Sequence, residues 1–228
     1  MAVKPQLACF ERLGGPGWSA LQRVVDAAHG AGLLVIADGK RGDVPVTAAA
    51  YAQALFGSTP TPWGEVYGLR ADAATLNPLL GADALEPLIA AAETAGAGAF
   101  VLVRTSNPGA ADVLDAMGPE GPLFERLARL VAERADRLAG DSGLSGLGAV
   151  VGATEPRHLG RLRELMPASI FLLPGVGAQG GRVADLGAAF GRHRASAIVT
   201  ASRSIATADD PAAAAQDLRQ KVWELSSA

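Results

Sequence analysis

The sequence predicts an α/β fold in which parallel strands and helices close into a (β/α)8 barrel of the TIM type. The chain has 228 residues, a length that one such barrel commonly occupies. Short apolar segments alternate with amphipathic ones throughout, which is typical of parallel strands joined by helical crossovers. Polar or glycine-rich residues follow nearly every strand, as at a barrel mouth, whereas a doubly wound sheet gathers its ligand at one switch point. We therefore predict a single barrel domain over residues 1–228.

Seven apolar segments predict the parallel strands. Their last residues are Lys4, Asp38, Asn77, Val103, Val151, Leu173 and Thr200. A closed barrel of this type needs eight strands. Because the chain begins abruptly with what reads as a strand end at Val3 and Lys4, we expect the first strand of the barrel to be missing.

Amphipathic segments predict the helices between these strands. They cover residues 18–31, 47–55, 84–95, 122–138, 156–165 and 211–226. Gly30 and Gly32 stop the first helix and Gly96 ends the third, as glycine commonly does at helix C-termini. Between the second helix and the next strand, the proline-rich residues 59–63 predict an irregular excursion.

Composition narrows the class of protein. The chain is 49% hydrophobic and 19% charged, which suits a globular enzyme rather than a disordered chain. Its net charge of −3 gives no basic surface for nucleic acid, so an anionic ligand needs a local site. Cys9 is the single cysteine, which excludes an intrachain disulfide and indicates a reducing cytoplasm. No signal peptide or membrane-spanning run is evident.

The segment 33–44 carries the densest set of charged residues after a predicted strand. In a strand, residues two apart point to the same face, so Asp38 and Lys40 are expected side by side while Gly39 points away. Gly42 permits a turn, and Asp43 lies beyond it, off the face that Asp38 and Lys40 share. The alternative for such a pattern is a solvated loop without function.

Two segments near the C-terminus predict a phosphate site. Barrels frequently bind phosphate in the loops after strands seven and eight, which here are the glycine-rich residues 174–181 and the segment around Arg203. Glycines let the backbone approach an anion closely, and the Arg203 guanidinium can bind phosphate through two hydrogen bonds. Gln179 adds an amide donor. A glycine-rich loop alone is weak support, and the arginine after the next strand strengthens it.

The remaining polar residues suggest further roles. Lys4, Asp38, Lys40 and Asp43 form an alternating set of cations and anions, which would keep each group ionised. Ser106 and Asn107 offer neutral hydrogen bonds suited to an amide or imide edge. The histidines belong to helices or their flanks and are interpreted as surface or packing residues; they are His29, His158 and His193. No set of converging histidines and carboxylates predicts a metal site.

Several of these segments together resemble one enzyme family. They are Ala37-Asp-Gly-Lys-Arg-Gly-Asp-Val44 with Thr47-Ala-Ala-Ala-Tyr51-Ala, Val3-Lys-Pro-Gln6, Thr105-Ser-Asn-Pro-Gly109, Pro174-Gly-Val-Gly-Ala-Gln-Gly-Gly181 and Ser202-Arg-Ser-Ile205. In this order they resemble the motifs of orotidine 5′-phosphate decarboxylase, specifically its longer bacterial subgroup (type 2). The resemblance covers nearly all of the chain.

The resemblance implies a cofactor-free and metal-free decarboxylation of orotidine 5′-monophosphate to UMP, in pyrimidine biosynthesis. Lys40 would protonate C6 of the pyrimidine, Asp38 would lie beside the substrate carboxylate, and Lys4 would orient Asp38. Asp43 and Thr47 would reach the active site of the other subunit of a homodimer. The implied pyrimidine contacts are Ser106 and Asn107, and the implied phosphate contacts are Pro174, Gln179, Gly180 and Arg203.

The sequence departs from the family in two places and leaves two other functions open. The family's first strand, which carries an aspartate resembling a ribose-hydroxyl ligand, is expected to be absent, and Gly39 replaces the usual alanine. One alternative is a metal-dependent sugar-phosphate enzyme such as hexulose-phosphate synthase or ketogulonate-phosphate decarboxylase, although Lys4 and the Ser106-Asn107 pair argue against it. The other is an inactive fragment that dimerises or binds nucleotide.

Overall fold

Two compact units, Met1–Val101 and Leu102–Ala228, make up the chain. The computed structural model describes residues 1–191 and 193–227. Each unit contains parallel strands connected through helices, which is the α/β class that the sequence predicts. No helix among the described residues is both long enough and apolar enough to span a bilayer.

The first unit is built on four adjacent parallel strands. Its elements are, in chain order, β1 (Ala2–Val3), α1 (Leu7–Glu11), α2 (Gly14–Gly30), β2 (Leu34–Arg41), α3 (Pro45–Phe56), β3 (Ser58–Thr61), β4 (Gly64–Tyr67), β5 (Ala73–Leu76), α4 (Ala82–Ala95) and the start of β6 (Gly98–Arg104). The sheet order is β1, β2, β5, β6, with every neighbouring pair parallel. The middle of β2 and all of β5 are buried, as expected for parallel strands covered by helices.

The pairing of β2 with β5 contains an irregularity. Ile36 and Ala37 pair with Ala73 and Ala74, and the next pair is Arg41 with Leu76. Strand β2 therefore advances four residues while β5 advances two, which is a bulge. Bulges bend a strand and redirect its side chains, and they are common next to active sites.

The proline-rich residues 59–63 belong to a β-hairpin that the sequence did not predict. Strands β3 and β4 pair antiparallel, with Thr61 opposite Gly64 at the turn. This two-stranded sheet is separate from the parallel one. Proline cannot donate a ladder hydrogen bond but is tolerated at sheet edges, and the prolines hid the strand pattern for that reason.

The second unit continues from the end of β6 into three further parallel strands. Its remaining elements are α5 (Ala110–Leu114), β7 (Met117–Gly118), β8 (Gly121–Pro122), α6 (Leu123–Ala132), β9 (Ser145–Val151), α7 (Leu159–Leu165), β10 (Ser169–Leu173), β11 (Ala197–Val199), α8 (Arg203–Ala206) and α9 (Pro211–Leu225). The order of the parallel strands is β6, β9, β10, β11. Strands β7 and β8 form a small separate hairpin. All seven parallel strands predicted from the sequence thus occur within the described residues.

The helix predicted over residues 122–138 is shorter than expected. Helix α6 ends at Ala132, and a 3-10 turn follows over Ala135–Leu138. Arg134 lies between the two with φ −116°, outside helical backbone geometry, and its Nη1 donates to Leu130 O (3.0 Å). The apolar spacing continues through the break, which is why the sequence predicted one helix.

A partly buried arginine, Arg163, connects several segments of the second unit. The Arg163 guanidinium donates to Ala189 O, Met166 O, Ser169 O and Ser196 O at 2.6–2.9 Å. It also lies over the Phe171 ring, 3.7 Å from the centroid. Burial lowers its pKa to about 10, so the group stays charged at neutral pH.

Candidate active site

A buried carboxylate between two lysines forms the centre of the first unit's polar site. Asp38 is 5% exposed and lies in the buried part of β2. Lys40 Nζ is 2.6 Å from Asp38 Oδ1, and the Lys4 ammonium forms an ion pair with Asp38 Oδ2. The Lys40 side chain is 42% exposed and that of Lys4 only 19%, so Lys40 is the lysine that a ligand can reach.

Two neutral side chains complete the set of donors around Asp38. Gln6 Nε2 donates to Oδ2 (3.3 Å), and Thr75 Oγ1 donates to Oδ1 (2.9 Å). Each carboxylate oxygen thus accepts from one ammonium group and one neutral donor. An ionised carboxylate has about four acceptor positions, so those of Asp38 are filled.

The surroundings of Asp38 favour its ionised form. Burial raises the pKa of Asp38, but hydrogen bonds from Lys4 and Lys40, with their positive charges, outweigh burial and leave this pKa below its ordinary value. Asp38 is therefore a fixed negative charge at neutral pH, as the alternating charge pattern predicted.

Strand pairing explains how residues distant in sequence meet here. Val3 pairs in parallel with Val35, and beyond β1 the chain keeps following β2, because Asp38 N donates to Pro5 O (3.0 Å). This alignment places Lys4 and Gln6, two residues apart, beside Asp38. Gln6 was not predicted as a site residue, although its spacing from Lys4 was the available signal.

Asp38 and Lys40 meet as predicted, but not through regular strand alternation. Lys40 has φ 49°, in the left-handed region, and belongs to the bulge in β2. Its backbone N–H donates to the side chain of Thr75 (2.9 Å). Gly39 faces Leu7, where an added methyl group would come within 2.6 Å of Leu7 Cδ1.

Asp43 and Thr47 follow the turn at Gly42. Asp43 Oδ1 accepts the N–H of the next residue, Val44 (2.8 Å). Thr47 is exposed near the start of α3. A side chain at position 42 would come within 2.4 Å of Asn77 O, so the turn packs directly against the end of β5.

The second unit brings together two predicted ligand-binding segments. Ser106 Oγ donates to Gln179 Oε1 (2.9 Å), which links the loop after β6 to the loop after β10. Thr154 Oγ1, from the loop after β9, donates to Ser106 O (3.1 Å). These residues line a groove of about 570 Å³ together with Arg104, Asn107 and Arg157.

Close backbone packing fixes the position of Ser106. A methyl group at Gly152 would lie 2.7 Å from Ser106 Cα, and one at Gly175 would lie 3.1 Å from Ser106 Cβ. Gly175 also has φ 109°, which only glycine adopts readily. Side chains at positions 152 and 175 would push the Ser106 loop out of place.

The glycine-rich loop and the Arg203 segment lie next to each other, as predicted for a phosphate site. Within the loop, Gly180 N donates to Gly177 O (2.8 Å) and Gly181 N to Gly175 O (3.0 Å). A methyl group at Gly177 would lie 3.5 Å from Ser204 Oγ. Arg203 is exposed at the start of α8, and Pro174 O accepts from Ala153 N (2.8 Å).

The three histidines have structural contacts. His29 Nε2 lies 2.9 Å from Asp72 Oδ2, a carboxylate that also accepts from Val35 N (2.8 Å). His158 packs edge-on against Phe124, and burial lowers its pKa. His193 accepts from Ala195 N (3.1 Å). These contacts agree with the interpretation of the histidines as surface or packing residues.

A parallel α/β fold with a buried carboxylate between two lysines and with glycine-rich loops after its strands is typical of enzymes that act on small anionic substrates. Comparison with known proteins identifies the family to which the chain belongs. The chain belongs to the orotidine 5′-phosphate decarboxylase / HUMPS family, whose model matches residues 1–218. The family predicted from the motifs is therefore confirmed.

Individual relatives agree with this assignment. Orotidine 5′-phosphate decarboxylase from Rhodopirellula baltica is 46% identical over 89% of the chain, and that from Deinococcus radiodurans is 45% identical over 89%. The chain spans 66% and 70% of their respective lengths. A structure of Leishmania donovani OMP decarboxylase is 34% identical with TM-score 0.80, covering the whole chain and 82% of that protein. The predicted fold class is confirmed by this likeness.

Proposed function

We propose that this chain decarboxylates orotidine 5′-monophosphate to UMP in pyrimidine nucleotide synthesis. The observation that carries the proposal is the ionised Asp38 carboxylate held between the ammonium groups of Lys4 and Lys40. The family and the names of the relatives support the substrate.

In the proposed reaction the C6–carboxylate bond breaks, CO₂ leaves, and the electron pair remains at C6. The Lys40 ammonium stabilises this developing negative charge and then donates its proton to C6. The neutral amine regains a proton from water. Asp38 places a fixed negative charge beside the substrate carboxylate, and the repulsion between the two carboxylates favours the departure of CO₂. Lys4 keeps Asp38 ionised and oriented.

Binding is assigned to the second unit's loops. Ser106 and Asn107 contact the pyrimidine edge, while the phosphate is bound by the 174–181 loop, through Pro174, Gln179 and Gly180, and by Arg203. The hydrogen bond between Ser106 and Gln179 supports joint action of the two loops. Interactions with the distant phosphate supply binding energy that helps to position the reacting ring.

We further infer a homodimer in which Asp43 and Thr47 contribute to the partner's site. Thr47 is exposed, and Asp43 lies outside the contacts that surround Asp38. Val44 and Val46, beside them, are 50% and 86% exposed, which suits a surface that another subunit covers. The cytoplasmic location remains a prediction from the single cysteine.

A spectrophotometric assay tests the proposed reaction. Orotidine monophosphate is mixed with the protein in the presence of a chelator, and the loss of substrate absorbance is followed. Turnover that survives the chelator is expected. Lys40→Ala serves as the inactive control.

A metal-dependent sugar-phosphate lyase is the alternative that this assay separates. It predicts activity that the chelator abolishes and magnesium restores. The filled acceptor positions of Asp38 argue against it, because a metal would have to displace a lysine, Gln6 or Thr75 from the carboxylate. The third alternative, an inactive fragment that dimerises or binds nucleotide, predicts no turnover under either condition.

A further inference from the structure

We propose that Thr75 is a positioning residue of this site, whose hydroxyl group sets the geometry of both Asp38 and Lys40. The inference rests on the proposed decarboxylation for its kinetic consequences. Its structural part concerns only contacts within the first unit.

The Thr75 hydroxyl joins the two charged residues through two different hydrogen bonds. Lys40 N donates to Thr75 Oγ1 (2.9 Å), and Thr75 Oγ1 donates to Asp38 Oδ1 (2.9 Å). The directions are fixed, because a backbone N–H only donates and an ionised carboxylate only accepts. One hydroxyl therefore connects the backbone of the reacting lysine to the carboxylate that its ammonium contacts.

The bulge in β2 explains why the Lys40 N–H bonds to a side chain instead of a strand carbonyl. A regular inner strand would bond every second backbone N–H to a carbonyl of β5, but between Ala37 and Arg41 the register of β2 against β5 shifts. The Thr75 side chain accepts the Lys40 N–H there instead. It thereby supports the unfavourable backbone conformation of Lys40, at φ 49°.

Burial and branching make Thr75 suited to this role. The residue is 1% exposed, so water does not compete for its hydroxyl. Its β-branched side chain restricts χ1, which limits the directions in which the oxygen can point. Without the hydroxyl, the Lys40 N–H loses its acceptor and Asp38 Oδ1 keeps only the Lys40 ammonium.

Kinetics of matched variants test the proposal. Thr75→Val keeps the shape and removes the hydroxyl, and Thr75→Ser keeps the hydroxyl. We expect about a 100-fold lower kcat for Thr75→Val, since a misplacement of 1 Å in a reacting group can cost about that much. KM is expected to stay within about threefold, because binding is assigned mainly to the other loops. Thr75→Ser should restore most of kcat.

Thr94→Val is the matched control. Thr94 is an exposed threonine on α4 whose hydroxyl donates to Ala90 O (2.9 Å), so its replacement should leave kcat unchanged. Wild-type kcat in Thr75→Val would overturn the proposal. Equal loss in the valine and serine variants would overturn it too, because packing rather than the hydroxyl would then matter.

Backbone hydrogen exchange gives a second readout that needs no substrate. In Thr75→Val the Lys40 amide should exchange at least about tenfold faster, while the Val35 amide, bonded to Asp72 Oδ2, should not change. An unchanged Lys40 rate would overturn the proposal. The two proposals can fail separately. If the Lys40 amide exchanges faster in Thr75→Val but the wild-type protein does not decarboxylate orotidine monophosphate, the positioning role is upheld and the proposed function is refuted. Thr75→Ala replaces the valine variant in both experiments if the latter does not fold.

Discussion

Ser106 Oγ and Gln179 Oε1 are 2.9 Å apart although the residues are 73 positions apart in sequence. This bond uses one of the two lone pairs of the Gln179 side-chain oxygen, and the Gln179 NH₂ group can donate to a phosphate or a carbonyl oxygen of a ligand. Ser106 thus helps to orient the Gln179 amide.

Arg203→Ala should weaken the binding of UMP by roughly tenfold to hundredfold, since a hydrogen bond to a charged group contributes about 1.5–3 kcal/mol. Uridine, which lacks the phosphate, should bind almost as before. Calorimetric titration with both ligands measures the difference. Arg161→Ala, which removes an exposed arginine paired with Glu125, is the control. Equal losses for UMP and uridine would refute the phosphate assignment of Arg203.

Mixed dimers test whether Asp43 acts on the partner's site. Lys40→Ala and Asp43→Ala proteins should each be inactive alone, and mixing them should restore activity. In a mixed dimer one site collects both defects and the other keeps both intact residues, so about half of the wild-type rate per dimer is the ceiling. Subunit exchange is verified by mass spectrometry. An inactive mixture of exchanged subunits would place Asp43 in its own chain's site.

Asp38 should make the stability of the protein depend on pH in the acid range. Its pKa is lower in the folded state, so its contribution is complete above the unfolded pKa of about 3.9 and is lost as pH falls toward the folded value. Urea unfolding between pH 7 and pH 3 should show the stability gap between wild type and Asp38→Asn narrowing below about pH 4. Asp43→Asn, at a partly exposed carboxylate, is the control. A gap that widens on acidification would contradict this sign.

Arg163→Met should destabilise the protein by roughly 3 kcal/mol, because several buried carbonyls lose their donor at once. Met166 O, Ser169 O, Ala189 O and Ser196 O are those affected. Chemical denaturation monitored by circular dichroism measures the change. Arg161→Met, at an exposed ion pair, should shift the midpoint far less. A similar shift in both variants would mean that the carbonyl contacts of Arg163 contribute little.

The parallel strands were predictable because each is a short apolar run followed by polar or glycine-rich residues. The charged site residues were predictable because they directly follow such runs. The hairpin of β3 and β4 was not, since prolines mask strand alternation. Gln6 and Thr75 were missed for a different reason. An isolated glutamine or threonine carries no signal until the pairing of β1 and β5 with β2 places it beside Asp38.

The left-handed backbone of Lys40 implies that this chain is not optimised for stability alone. A non-glycine residue in that conformation costs about 1–2 kcal/mol, and glycine would remove most of the cost. Selection for stability alone would therefore favour Lys40→Gly over Lys40→Ala, yet either change deletes the proposed proton donor. The lysine at this bend represents a trade-off in which some folding free energy is given up for reactivity.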